Sequence, residues 1–345
     1  MKALRKIAAQ AGVALEEVPE PSAPQGTDVI VEVEAAGICG SDLHVDDWTP
    51  GYEFMVPLLP LTLGHEFAGR IVAVGPDVEH VKVGDRVTVM PSAPCNACPA
   101  CRAGDSEKCQ NKQTLGLRRD GGFAPRVTAR ASGCLPLPDA VDYELAALTE
   151  PLGVGATAVR VGGVGQGDRV VVLGPGTIGQ ALAIFARLSG ATDVAVVGFD
   201  DAPRLETCRA LGFDQVYDLK EPGAMDRLKS DFGGCDVVFE ATGKAVSITD
   251  GLALLRMEGV FVMAGIHEED ARFPATDFVR RRLQIRASHG ARGPEWRRVL
   301  AAMAKEPEIF RKMITHRLPL DEAVRGFGLA HERGASKVMI LPGQG

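Results

Sequence analysis

Along the first 135 residues the apolar positions come in short β-branched runs, "DVIVEVEAAGICG", "FAGRIVAVGPDV", "VGDRVTVMP" and "GGFAPRVTA", divided by Gly, Pro and Asp turns. Runs of this length and spacing predict the strands of a compact, mostly β domain. The texture changes at "ELAALTEPLGVGATAVR", where Leu145, Leu148, Leu152 and Val159 fall on related faces of one predicted helix. From there the pattern alternates. "DRVVVLG" reads as a buried strand, "TIGQALAIFARLSG" as a helix ended by Gly190, "DVAVVGFD" as a second strand and "APRLETCRALG" as another helix. "CDVVFEATG" and "GVFVMAG" follow as further buried strands, the latter a candidate for pairing across a dimer interface. Strands alternating with helices predict an α/β fold with a doubly wound parallel sheet. The last fifty residues mix helix and strand and close on "SKVMILP".

Length turns this pattern into two domains, since 345 residues supply a core for each. A formal net charge of −7 lacks the footprint that phosphate-backbone binding needs, so nucleic acid is not an expected partner. No run of about 18 apolar residues is present, and no membrane association is expected. The alanine-rich start is interrupted by Gln10 and Gly12 and followed by Glu16 and Glu17 without a cleavage site, which reads as a cytoplasmic protein.

Eight cysteines are too dilute for a disulfide scaffold, yet Cys95, Cys98, Cys101 and Cys109 fall within "PCNACPACRAGDSEKC". In a reducing compartment such a cluster favours a metal over disulfides. Four thiolates complete a tetrahedral zinc and leave no open position, so this site is expected to be structural, within a lobe at about 91–112. Cys134, Cys208 and Cys235 read as small buried residues.

"VVVLGPGTIGQ" sets Gly174, Gly176 and Gly179 in G-x-G-x-x-G spacing after a strand and before a helix. That context makes it a dinucleotide turn, with Thr177 and Ile178 opening the helix whose N-terminus faces the phosphates. Asp200, 21 residues after Gly179, is the expected ribose ligand and favours NAD over NADP. Arg204 tempers this, because an arginine there pairs with a 2′-phosphate. "AAGICGSDLH" offers Cys39, Ser41 and His44 on a loop after a strand, "LTLGHEFAG" offers His65 and Glu66, and "LTEPLGVG" offers Glu150. Thiol, imidazole and carboxylate are all zinc donors, and a catalytic zinc takes three with one position open.

In order and spacing, "GICGSDLH", "GHEFAG", the four-cysteine lobe, "TEPLG" and "GPGTIG" resemble the zinc-dependent medium-chain dehydrogenases, in the branch of sorbitol and other polyol dehydrogenases and L-threonine 3-dehydrogenase. The resemblance spans essentially the whole chain. It implies a GroES-like β-rich catalytic domain over residues 1–153, completed by 292–345, and a Rossmann NAD-binding domain over 154–291, with the active site between them. It implies two zinc ions per chain. Cys39 and His65 hold the catalytic one, with Glu150, or Glu66 in an alternating or outer role, completing the set. Ser41 takes the substrate hydroxyl proton, His44 passes it to solvent, and Lys337 lies near the cofactor pyrophosphate. A glutamate at 150 points away from classical alcohol dehydrogenases, which carry cysteine there.

The expected reaction is oxidation of a secondary hydroxyl of a polyol, sugar alcohol or vicinal diol to a ketone, with threonine oxidation as the close alternative. A non-catalytic NAD- and zinc-binding protein of the same fold is the rival from another class, and the intact set Cys39, His65 and Glu150 argues against it. Specificity is expected from "DDWTPGYEFMVPLLPLT", from "GLRRDGG" around Arg118 and Asp120, and from "SHGARG" around His289 and Arg292. The resemblance further implies a homotetramer or homodimer.

Overall fold

The computed structural model describes residues 1–267, 269–291 and 293–343. The chain divides into two compact units, Met1–Glu150 with Leu300–Gly345, and Pro151–Val299. Arg292 lies outside the described residues.

The first unit begins with β1 (Lys2–Lys6), β2 (Ala14–Glu17), β3 (Asp28–Gly37) and β4 (Leu61–Thr62). It continues with β5 (Glu66–Val74), β6 (Arg86–Val89), β7 (Arg126–Arg130) and β8 (Cys134–Pro136). The second unit carries β9 (Arg169–Leu173), β10 (Asp193–Gly198), β11 (Val216–Asp218), β12 (Cys235–Glu240), β13 (Leu255–Met263) and β14 (Gln284–Ala287). The chain then returns to the first unit with β15 (Ile314–Pro319) and β16 (Lys337–Leu341).

In the first unit β1, β2 and β4 form a small antiparallel sheet, and the larger sheet runs β15-β16-β3-β5-β6-β8 with β7 added on β3. The ten residues of β3 are its spine. Alternate positions Val29, Val31 and Val33 are buried, as a strand with one core face requires, and they pack with Phe67, Phe123, Val127 and Ile340. Antiparallel pairing sets Gly37 opposite Glu66, and a Cβ on Gly37 would stand 2.4 Å from Glu66 Oε2. Only glycine at 37 leaves room for that buried carboxylate.

In the second unit all six strands are parallel, in the order β11-β10-β9-β12-β13-β14. The central strands are unbroken apolar runs, Val170 to Leu173 and Val194 to Val197, because helices cover both faces of such a sheet. The order reverses between β9 and β12, which makes their carboxyl ends the place where this kind of sheet binds ligands.

Two expectations need correction. "GVFVMAG" lies inside the sheet, paired on both sides by β12 and β14, so it is not an edge. The edge on that side is β14, "QIRA", whose two polar residues conceal it in the apolar pattern. The helix read through "ELAALTEPLGVGATAVR" is two helices, Tyr143–Ala147 and Thr149–Gly162, broken at Leu148. Pro151 explains the break, since proline is tolerated in a first turn and not in a helix interior.

Candidate functional site

β3 delivers the chain to Cys39, which caps the helix Gly40–Asp47, while β5 begins at Glu66 with His65 just before it. Ligand atoms of Cys39, His65 and Glu66 all lie within 4.8 Å of one another. Ser41 and His44 stand on the helix and not on the loop expected from sequence, because Asp42 satisfies its first turn: Asp42 Oδ2 accepts from Cys39 N at 2.9 Å. The other oxygen of Asp42 lies 3.5 Å from His65 Nδ1, and Asp42 is wholly buried. His65 Nε2 is thereby turned toward the other donors, with Ser41 Oγ 3.4 Å away. Burial works against a proton on His65, but the Asp42 carboxylate and the Cys39 thiolate raise its pKa well above the ordinary value.

Glu66 is also wholly buried, and its Oε2 accepts from Lys337 Nζ at 2.6 Å. Lys337 Nζ donates as well to Ile38 O at 2.8 Å. Lys337, the residue expected near the cofactor pyrophosphate, is thus paired with Glu66 inside the first unit. A buried pair of this kind costs about 3–5 kcal/mol when one partner is removed. Glu66 Oε1, His65 Nδ1 and Asp42 Oδ1 are left without hydrogen-bond partners. A buried, unpaired Glu66 Oε1 grouped with a thiol and an imidazole is what a zinc ion would satisfy, so the residues fit that metal. Glu150, in the first turn of Thr149–Gly162, stands outside the 4.8 Å group. Its carboxyl is nonetheless part of the same field: burial pushes its pKa up to about 7, with Glu66 and Asp42 adding to the rise and His65 and Lys337 opposing it.

The four-cysteine lobe follows a different plan. The sulfurs of Cys95, Cys98, Cys101 and Cys109 lie within 4.8 Å of one another, with Cys109 Sγ 3.6 Å and Cys101 Sγ 4.0 Å from Cys95 Sγ. Tetrahedral zinc with bonds of about 2.3 Å sets its sulfurs about 3.8 Å apart, and a disulfide needs about 2 Å. The spacing therefore fits a metal and excludes disulfides. Backbone N–H groups of Ala97 and Cys98 point at Cys95 Sγ and lower its pKa to about 6, while burial pushes Cys101 up to about 12.

In the second unit β9 runs into Gly174, whose φ of +109° only glycine adopts readily. A Cβ on Gly179 would stand 1.7 Å from Gly174 O, so the third glycine is fixed by helix packing. Gly176 caps the helix Thr177–Leu188, and a Cβ there would meet only Arg204 Nη1, at 3.4 Å. The turn thus leaves its backbone open beside the N-terminus of a twelve-residue helix, which suits a pyrophosphate. Asp200 is exposed, adopts φ +51°, and pairs with Lys220 at 2.7 Å. Arg204 Nε donates to the buried Asp201 at 2.8 Å, which neutralises the arginine beside the turn.

Sequence reasoning passed over Asp42, whose one-in-eight place on a short helix gave no signal of contact with His65. It also passed over Glu240 at the end of β12. That wholly buried carboxylate accepts from Gly243 N at 2.9 Å and lies 2.8 Å from His267 Nε2, next to the Ala241 carbonyl that faces Gly174. A carboxylate at the end of an apolar run before Thr-Gly was the available clue.

A mixed thiol, imidazole and carboxylate set, a closed thiolate lobe and a dinucleotide turn together define a metal-dependent dehydrogenase. Comparison with known proteins agrees. An alcohol dehydrogenase GroES-like domain matches residues 25–139, and a zinc-binding dehydrogenase domain matches residues 177–305. The sorbitol dehydrogenase of Halalkalibacterium halodurans is 32% identical over 99% of both chains. The L-threonine 3-dehydrogenase of Symbiobacterium thermophilum is 33% identical over 99% of this chain and 98% of its own. The crystal structure of 2R,3R-butanediol dehydrogenase from Bacillus subtilis superposes with a TM-score of 0.88 at 30% identity, covering 99% of each chain. The chain belongs to the zinc-dependent medium-chain alcohol dehydrogenase family, with its GroES-like and Rossmann domains.

Proposed function

We propose that the protein oxidises a secondary hydroxyl of a polyol, sugar alcohol or vicinal diol to a ketone, using NAD and two zinc ions per chain, one catalytic and one structural. The observation that carries this reading is the convergence of Cys39, His65 and Glu66 within 4.8 Å, with the buried Glu66 Oε1 left unpaired. Cys39 and His65 would hold the catalytic zinc, with Glu150 or Glu66 as third donor, and Cys95, Cys98, Cys101 and Cys109 would hold the structural one. When bound, zinc supplies the Lewis acidity that makes an alcohol hydroxyl acidic, and the nicotinamide accepts the hydride.

The chain's own residues handle the proton and the geometry. Ser41 Oγ, beside His65 Nε2, takes the hydroxyl proton, and His44 one turn further along the helix releases it to solvent. Tyr52 stands parallel to the His44 ring, 18° between planes and 6.4 Å between centroids. Lys337 Nζ holds Glu66 Oε2 at 2.6 Å within the buried set. Gly174, Gly176 and Gly179 receive the pyrophosphate through backbone N–H groups, with Thr177 and Ile178 in the helix's first turn. The carbinol C–H leaves as hydride with its electron pair, the O–H leaves as a proton, and ketone and NADH result.

NAD is preferred over NADP in this reading, since Asp200 follows β10 and Asp201 neutralises Arg204. Eight free thiols, four of them in the lobe, suit the reducing cytoplasm, and the exposed strand β14 offers an edge for assembly as a homotetramer or homodimer. Among the described residues no helix is long and apolar enough to cross a membrane.

The test is turnover of sorbitol, xylitol, 2,3-butanediol and threonine with NAD and NADP, alongside zinc content. Ketone formation from the polyols or diol with NAD is the expected result. Turnover of threonine alone moves the protein to L-threonine 3-dehydrogenase, and no turnover of any by zinc-loaded protein overturns the reading.

A further inference from the structure

We propose that Arg118 binds an anionic group on the hydroxylated substrate, a carboxylate or a phosphate, so that sugar acids or phosphorylated sugar alcohols are preferred over neutral polyols. The inference deepens the dehydrogenase reading and rests on it for the reaction, though not for the binding.

Arg118 sits at the tip of a tight turn strapped to the segment that carries His65. Within the turn Arg118 N donates to Thr114 O at 2.7 Å and Gly116 N to Arg119 O at 2.7 Å. The strap is made by Gly121 N on Thr62 O at 2.9 Å, Gly122 N on Gly64 O at 2.7 Å and Asp120 Oδ1 accepting from Thr62 N at 2.8 Å. The approach is so close that a Cβ on Gly116 would lie 2.8 Å from the Gly64 backbone, one residue before His65. The turn is therefore a fixed part of the wall beside the metal set.

The neighbours of Arg118 are spent. Arg119 pairs with Asp28 at 3.3 Å, and Asp120 holds Thr62. Among the described residues no carboxylate pairs with Arg118. Its guanidinium instead lies 4.4 Å from the centre of the Phe54 ring. Phe54 is 6.1 Å from Tyr52, and Tyr52 is stacked on His44. An aromatic wall thus leads from the proposed relay to an unneutralised arginine on a chain with net charge −7. Tyr52 belongs to the same field, its pKa raised to about 12 by burial and by Cys39 and Asp42. An arginine lying over an aromatic ring, with no carboxylate on it, keeps its fork of donors for a bidentate acid. The two curated relatives differ on this very point, since sorbitol is neutral and threonine carries a carboxylate.

The experiment uses three substrates on one carbon skeleton: sorbitol, gluconate and sorbitol 6-phosphate. For the zinc- and NAD-loaded wild type, kcat/KM is expected to be at least about tenfold higher for one of the two anions than for sorbitol, and which anion wins decides between carboxylate and phosphate. Arg118→Ala is expected to raise KM for that anion about 10- to 100-fold with kcat nearly kept, a loss at least about tenfold beyond any change with sorbitol, and Arg118→Lys to recover part of it. Calorimetric titration of both anions into wild type and Arg118→Ala reads binding without turnover. Sorbitol turned over at least as well as both anions, or equal losses on all three substrates, overturns the proposal while leaving the dehydrogenase reading intact. Anion binding that depends on Arg118 in a protein that oxidises nothing supports the site and sinks the reaction.

Discussion

The two donor clusters of the first unit answer the same chemical need in opposite ways. The lobe draws four identical ligands from fifteen consecutive residues and holds them with its own backbone N–H groups. The second set draws a thiol, an imidazole and a carboxylate from separate segments, and ties them to the core through Asp42 and Lys337. Local spacing suffices for a closed four-thiolate site, which in the proposed function only has to hold a loop. A site that must keep a coordination position open needs donors fixed from several directions, and so depends on the whole sheet.

The comparison is broken most directly by Cys39→Ala. Activity should fall about 10³-fold or more, with one zinc of two lost and a melting midpoint moved by only about 2 °C. The measurements are metal content, turnover and calorimetry on one preparation. A variant that keeps both its zinc and its turnover would mean that the mixed set is not the reacting one.

Cys98→Ser should do the reverse. Losing a lobe ligand is expected to cost on the order of 3 kcal/mol of apparent stability, because metal binding there is folding energy for a segment with little core of its own. Turnover per folded molecule should stay within about threefold of wild type, since no lobe ligand contacts the substrate. Denaturant midpoints and active-site titration separate the two quantities. A stable but inactive Cys98→Ser protein would exchange the roles of the clusters.

How each cluster shows itself in the sequence follows from this difference. Cys95 to Cys109 and Gly174 to Gly179 are local, so their spacing alone carried their geometry. Cys39, His65 and Glu66 were found as donor types in suggestive contexts, but the fact that they meet lies in the pairing of β3 with β5, which no local pattern contains. The pairing of Lys337 with Glu66 is hidden for the same reason: the two are 271 residues apart in the chain. Asp42 was invisible because a capping residue and a histidine's partner look alike in sequence. β14 carries no such signal because its glutamine and its half-buried arginine break the apolar run, while the buried strands of the same sheet are plain.

Asp42→Asn sharpens the comparison at the outer layer of the mixed set. Asparagine Oδ1 can still accept from Cys39 N at the start of the helix, so the fold should survive, but the buried charge behind His65 is gone. Zinc affinity or turnover is expected to fall about 10- to 100-fold, read by competition with a chelator and by kcat/KM. An unchanged affinity would show that the 3.5 Å approach of Asp42 to His65 is packing alone.

The smallest effect is expected from the matching position in the lobe. Asn111 Nδ2 lies 3.7 Å from Cys95 Sγ on an exposed part of the chain, where water replaces whatever the amide supplies. Asn111→Ala should therefore cost less than about 0.5 kcal/mol and leave zinc retention and turnover near wild type. Backbone N–H groups of Ala97 and Cys98 already stabilise the Cys95 thiolate, and a side-chain substitution cannot remove them. Chelator competition on Asn111→Ala and Asp42→Asn side by side is the measurement. Equal losses from both would mean that burial does not set the weight of an outer contact, and the contrast between a backbone-held lobe and a core-held site would fail at that layer.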